Sequence, residues 1–282
     1  MSETNAQRVM VIEVTPGESS WLAENLALQN CNVEVASGEA KALQLLRQRS
    51  FEVVLTSPQT CPKEDLALLD EMRRIRPGVR TILLAPETTP DDVIAALRAQ
   101  VFSCFSAPFD LKAITTMVKR ALDEVDWRND IEVVSARPDW IELRVACRLL
   151  TAERLTTFMT ELLASSPDQE RFQLMTAFRE ILMNAMEHGA GFDPEKVVEV
   201  AAARTERAIV YFFRDPGRGF RRDSLPHSAI SNPLDDPTKH MDFRTARGMR
   251  PGGFGILMAR EMVDEIIYNE VGNEVLLIKH TV

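Results

Sequence analysis

A chain of 282 residues is long enough for two ordinary domains, each with a core of its own. With 45% hydrophobic and 27% charged residues the composition excludes a disordered protein, and a net charge of -9 excludes a bulk nucleic-acid binder, which needs clustered Lys and Arg. A local anion pocket remains compatible with that balance. No apolar run approaches the roughly 20 residues that span a bilayer, and the opening MSETNAQRVM lacks the apolar core of a signal peptide. A cytoplasmic protein without membrane or direct nucleic-acid contacts is therefore expected. Cys31, Cys61, Cys104 and Cys147 are far apart with no CxxC pair, which predicts reduced thiols rather than metal ligands or disulfides.

Along the first half, RVMVIEV (8–14) is a short β-branched run, and Trp21, Leu22, Leu26 and Leu28 have helical spacing within 19–30. The alternation continues through NVEVA, GEAKALQLLRQR, FEVVLT, EDLALLDEMRRIR, RTILLA, PDDVIAALRAQ, VFSCFS and LKAITTMVKRALDEV. Five strands alternating with five helices predict an α/β, doubly wound, five-stranded parallel sheet.

This half, about 6–126, resembles a response-regulator receiver domain, with FSAPFDLKAI standing where receivers carry Lys-Pro-Phe. The family holds Mg2+ and a phosphoryl group with two acids after strand one, an Asp after strand three, a Ser or Thr after strand four and the Lys. Here Glu13 stands at the first acidic position, but Val14 takes the second, Ser57 the phosphoacceptor position, Ala85 the hydroxyl position and Ala107 the lysine position. Serine has no carboxylate to form an acyl phosphate, one acid binds Mg2+ poorly, and alanine cannot pair with a phosphoryl oxygen. The resemblance thus implies a degenerate receiver, not switched by aspartyl phosphorylation. A shifted alignment would offer Asp65 as acceptor, but that residue follows Cys-Pro-Lys and begins the next helix.

The polar bridge DWRND leads to a second domain, with the division set at 1–127 and 128–282. A hairpin around Arg137-Pro138-Asp139 is predicted first, then helices over 151–164 and 168–188, and strands KVVEVAAAR and RAIVYFFR. The latter ends in Asp215-Pro216-Gly217-Arg218-Gly219. A polar loop over 221–250 follows, then GGFGI (252–256) opening a helix, and strands EIIYNE and EVLLIKH joined at Val271-Gly272-Asn273. An antiparallel or mixed sheet with helices on one face is expected.

Within the second helix, FREILMNAMEH places Glu180, Asn184 and His188 at i, i+4 and i+8, one polar stripe on an otherwise apolar segment. The plainer reading is a solvent-facing stripe, as DPG is an ordinary turn and GGFGI a flexible loop. Their order, however, resembles the GHKL ATPase superfamily over about 130–282, implying an α+β Bergerat-type fold that binds ATP and Mg2+.

In that family the residue matching Asp215 accepts from the adenine amino group, with Gly217 and Gly219 letting the backbone pass close. Guanine would present an acceptor there, so ATP is expected over GTP. Gly252, Gly253 and Gly255 would form a phosphate cradle at a helix N-terminus. Asn184 would be the Mg2+ ligand and Glu180 the base that accepts a hydroxyl proton. His188 is read as a group behind the site or facing a partner, or as a helix-end histidine. The loop 221–250 would be a mobile lid, with Arg247 and Arg250 as phosphate contacts, a solvated charge run being the plainer alternative.

All four histidines lie in the second half, which argues against a histidine kinase with its acceptor on a preceding hairpin, and no transducer segment follows the last strand. What remains resembles the anti-sigma-factor serine/threonine kinases. That resemblance implies an anti-anti-sigma-like protein or a sigma factor as partner, with the first half a regulatory or homodimerising module. The alternative is a non-catalytic ATP-binding module that sequesters its partner.

Overall fold

A computed structural model describes residues 8–123, 127–219, 241, 246 and 254–281. The chain divides into two units, residues 1–129 with 157–164, and residues 130–156 with 165–282.

The first unit runs β1 (Arg8–Glu13), α1 (Ser20–Leu28), β2 (Asn32–Ser37), α2 (Glu39–Gln48), β3 (Val53–Leu55), α3 (Pro62–Ile75), β4 (Arg80–Ala85), α4 (Pro90–Arg98), β5 (Ser103–Ser106) and α5 (Leu111–Asp123). Its strands pair in parallel in the order β2-β1-β3-β4-β5, the expected receiver-like sheet. Val53, Val54 and Leu55 of β3 and the whole of β4 are buried, as a parallel sheet covered on both faces requires. Local chemistry sets the helix ends. Thr89 caps α4 by a reciprocal bond with Asp92, with Pro90 at the first helical position. Asn30, at φ 65°, stops α1 at Leu28. Within this unit Glu161 accepts from the hydroxyls of Ser106 (2.6 Å) and Thr88 (3.2 Å).

The second unit contains β6 (Ile131–Arg137), β7 (Trp140–Ala146), the first part of α6 (Leu149–Leu162), α7 (Asp168–Asn184), β8 (Val197–Arg204), β9 (Ala208–Arg214), α8 (Gly255–Met262), β10 (Glu265–Tyr268) and β11 (Glu274–His280). The strands form one antiparallel sheet, β10-β11-β9-β8-β7-β6. Alternation in β7 and β9 turns Ile141, Leu143, Val145, Ile209, Tyr211 and Phe213 to the buried side. There Phe178 of α7 packs its ring on Tyr211 and Phe213, centroids 5.0 and 5.1 Å away. Asp130, read from sequence as part of a polar bridge, is buried, accepting from the Thr151 hydroxyl at 2.8 Å and standing 3.9 Å from Arg148.

The helix expected over 168–188 is α-helical only to Asn184. Residues Ala185–Gly189 form a π-turn, in which the Ala190 N–H reaches back five residues to the Ala185 carbonyl. All four cysteines are free thiols. Burial pushes Cys104 well above the usual thiol range and Cys147 to about 11, so both stay protonated at neutral pH. Among the described residues no helix is long and apolar enough to cross a membrane.

Candidate functional site

Three pieces of chain in the second unit converge: the C-terminal end of α7, the start of α8, and the loop after β9. α7 is fixed by its aromatic contact with β9, and its neighbour α8 begins at Gly255. Glu180 lies so near this point that a Cβ on Gly255 would stand 2.5 Å from Glu180 Oε2 and 3.7 Å from Asn184 Nδ2. Glycine at 255 leaves the Glu180 carboxylate room beside the α8 N-terminus, with the Asn184 amide in ordinary contact distance. Asn184 Nδ2 is buried and has no hydrogen-bond partner among the described residues. A buried amide left in that condition costs about 1–3 kcal/mol unless something polar meets it. Glu180 is 24% exposed at its side chain and pairs with Arg179 at 3.6 Å.

Asp215 follows β9 directly. Burial raises its pKa, while a 2.8 Å bond from the Gly217 N–H works the other way. Its carboxyl occupies the space where Gly189 would carry a Cβ, and a Cβ on Gly217 would lie 2.7 Å from Asp215 Oδ1 and 2.8 Å from the Gly189 carbonyl. Gly219, at φ +71°, lies against the Val271 carbonyl so closely that any side chain would overlap it.

The histidine kinase-like ATPase domain family has a model that matches residues 142–279. Residues 142–279 form a histidine kinase-like ATPase domain. It follows that this unit binds ATP. In the ATPase domain, Glu180 and Asn184 lie against Gly255, Asp215 lies against Gly189 and Gly217, and Gly219 lies against Val271. His188 lies in the π-turn that ends this helix and is exposed. Gly252, Gly253, Arg247, Arg250 and the loop read as a lid lie outside the described residues, apart from Met241 and Ala246.

The residues present suit a magnesium nucleotide. Turning the Asn184 amide exchanges its oxygen and nitrogen without steric cost, so the buried amide can offer an oxygen to a hard cation. Among the described residues there is no cluster of three His, Cys, Asp or Glu able to hold a metal without a ligand's help.

The ATPase domain also contains contributors that spacing did not single out. Gly189 is one, and its signal was a glycine at the end of an otherwise apolar helix. Asn269 and Asn273, in the turn between β10 and β11, are the others. Asn273 Nδ2 donates to the Asp215 carbonyl at 3.4 Å, and the Asp215 N–H donates to the Asn273 carbonyl at 3.0 Å.

The chain is also similar to transcriptional regulatory protein GlrR of Escherichia coli K12, 23% identical over 146 residues, covering 50% of this chain and 33% of that protein. Regulatory protein AtoC of the same strain is 25% identical over 128 residues, covering 45% and 28%. The chain thus spans about a third of the length of the curated relatives it matches. Among solved structures, a response regulator from Thermotoga maritima is 22% identical with a TM-score of 0.39, covering 42% of this chain and 99% of that one. A CheY-like receiver domain protein from Methanospirillum hungatei is 18% identical at a TM-score of 0.38, covering 42% and 94%.

In the receiver-like unit the degenerate positions fall at the C-terminal ends of the strands. Glu13 closes β1 and Val14 follows it, exposed; Ser57 lies two residues past β3, Ala85 closes β4, and Ala107 follows β5. Glu13 Oε2 accepts from the Gly17 N–H at 2.9 Å. Glu18 accepts a short bond from the Ser57 hydroxyl, and bonds of 2.8 and 2.9 Å from the Val14 and Thr15 N–H groups. Partial burial opposes ionisation of Glu18, but these bonds outweigh it and hold the carboxyl below its ordinary value. Asp65 is not at a strand end: it lies in the first turn of α3, buried against Thr60.

Proposed function

We propose that the ATPase domain transfers the γ-phosphoryl group of ATP to a serine or threonine hydroxyl of a small anti-anti-sigma-like protein, and that binding this protein or a sigma factor is its regulatory output. The observation that carries the reading is the meeting of Glu180 and Asn184 at Gly255, the start of α8. In this reading Asp215 accepts from the adenine amino group, and a guanine, with an acceptor there, is refused. The α8 N-terminus turns its free N–H groups and positive dipole end to the phosphates. Asn184 would hold Mg2+, which when bound neutralises charge on the phosphate oxygens. The acceptor hydroxyl oxygen forms the new bond to the γ-phosphorus, the bond to the β,γ-bridging oxygen breaks, and ADP departs. Glu180, its carboxylate partly open to solvent, takes the hydroxyl proton.

The second reading is a module that sequesters its partner without phosphorylating it, with the Glu180 carboxylate engaged by Arg179 at 3.6 Å rather than by an acceptor hydroxyl. Glu180→Gln separates the two. Incubated with Mg-ATP labelled at the γ-phosphate and the anti-anti-sigma-like protein, the wild type labels the protein. Glu180→Gln lowers that rate by about 100-fold or more with ATP binding retained. If the wild type binds ATP and the protein but yields no phosphoprotein, transfer is refuted and sequestration stands.

A further inference from the structure

We infer that Asn269 and Asn273, on the turn between β10 and β11, are positioning residues that set the base selectivity of the nucleotide site by fixing Asp215; this rests on the proposed adenine role of Asp215. The Asp215 side chain is held by one local bond, from Gly217. Its backbone is held from across the sheet end. The Asp215 N–H donates to the Asn273 carbonyl at 3.0 Å, and Asn273 Nδ2 returns a bond of 3.4 Å to the Asp215 carbonyl. Both peptide groups of the residue are thus tied to one turn.

That turn is itself organised by a single side chain. Asn269 Oδ1 accepts from the N–H groups of Gly272 (2.7 Å), Asn273 (3.1 Å) and Glu274 (3.2 Å), while its Nδ2 donates to Asn273 Oδ1 at 3.0 Å. The last bond orients the Asn273 amide so that its nitrogen faces Asp215. Three donors on one carbonyl oxygen are more than a turn with Gly272 at φ 86° needs to close. The turn also meets the far end of the loop, where the Val271 carbonyl fills the space beside Gly219. The 215–219 loop is thus clamped at both ends by residues 271–273, and the carboxyl between them has a fixed height above Gly189. A carboxyl so fixed distinguishes a purine with an amino group at position 6 from one with a carbonyl there; a carboxyl free to move by an ångström does so less well.

The test is the affinity of the full chain for ATP and for inosine triphosphate, which differ at that position, in wild type, Asn273→Ala, Asn269→Ala and Asp215→Ala. We expect Asn273→Ala and Asn269→Ala to weaken ATP about ten-fold and inosine triphosphate by no more than about two-fold, a selectivity loss equal to one net hydrogen bond. In the Asp215→Ala background, adding Asn273→Ala should change selectivity no further. Equal weakening of both nucleotides, or additive losses with Asp215→Ala, would overturn the positioning role. Failure of Asp215→Ala itself to alter the ratio would remove the adenine reading on which it rests. If Asn269→Ala does not fold, Asn273→Ala and Asn273→Ser decide the matter by the same ratio.

Discussion

Asp65 illustrates what one residue can carry unseen. It is 1% exposed and takes a 2.8 Å bond from the Thr60 hydroxyl on Oδ1. Burial raises its pKa from 3.8 to about 6 against the bonds from Thr60 and Thr56, with Glu39 and Glu64 adding to the rise. A carboxyl that binds its proton more tightly folded than unfolded adds most stability below the unfolded pKa and loses that contribution as pH rises through the folded one. Urea titrations of wild type and Asp65→Asn should therefore diverge from about pH 4 to about pH 7, the wild type losing up to about 3 kcal/mol relative to the variant. A constant difference across that range would contradict it. Spacing had offered Asp65 as a spare phosphoacceptor, because a sequence shows a carboxylate but not its burial. Glu18 is the converse case. Its bonds to Ser57, Val14 and Thr15 depend on how the turn after β1 folds back, which no periodicity encodes.

At the level of elements, α7 carries Glu180 and Asn184, and Phe178 packs α7 on the sheet. Its ring is fully buried between Tyr211 and Phe213, so Phe178→Ala should cost about 3–5 kcal/mol in urea unfolding of the full chain. A loss below about 1 kcal/mol would mean that α7 is held by something else. The elements themselves were legible. Strands β1 to β5 and β6 to β11 announce themselves by β-branched runs or alternation, and the Glu180–Asn184 pair by its i, i+4 spacing. The π-turn after Asn184 was not, because Ala-Met-Glu-His-Gly continues an acceptable α-helical pattern. Only the packed structure shows that Gly189 must come close enough to Asp215 to exclude a Cβ. Asp130 reads as linker in the sequence because its burial depends on α6 folding over it.

For the molecule as a whole, a receiver-like unit shares a chain with a histidine kinase-like ATPase domain. The order of motifs is what points to a nucleotide site in the sequence, since DPGRG and GGFGI gain meaning only with Glu180 and Asn184 before them. The Asn269 and Asn273 clamp is not legible in the sequence because it joins residues about 55 positions apart, a pairing set by the β9–β11 register rather than by local pattern. ATP is expected to bind where α7, the start of α8 and the Asp215 loop meet. The decisive measurement is calorimetric titration of the full chain with ATP, with and without Mg2+, in wild type and Asn184→Ala. Saturable ATP binding that Mg2+ strengthens in the wild type is expected, with loss of that strengthening in Asn184→Ala. Equal Mg2+ dependence in both proteins would contradict it.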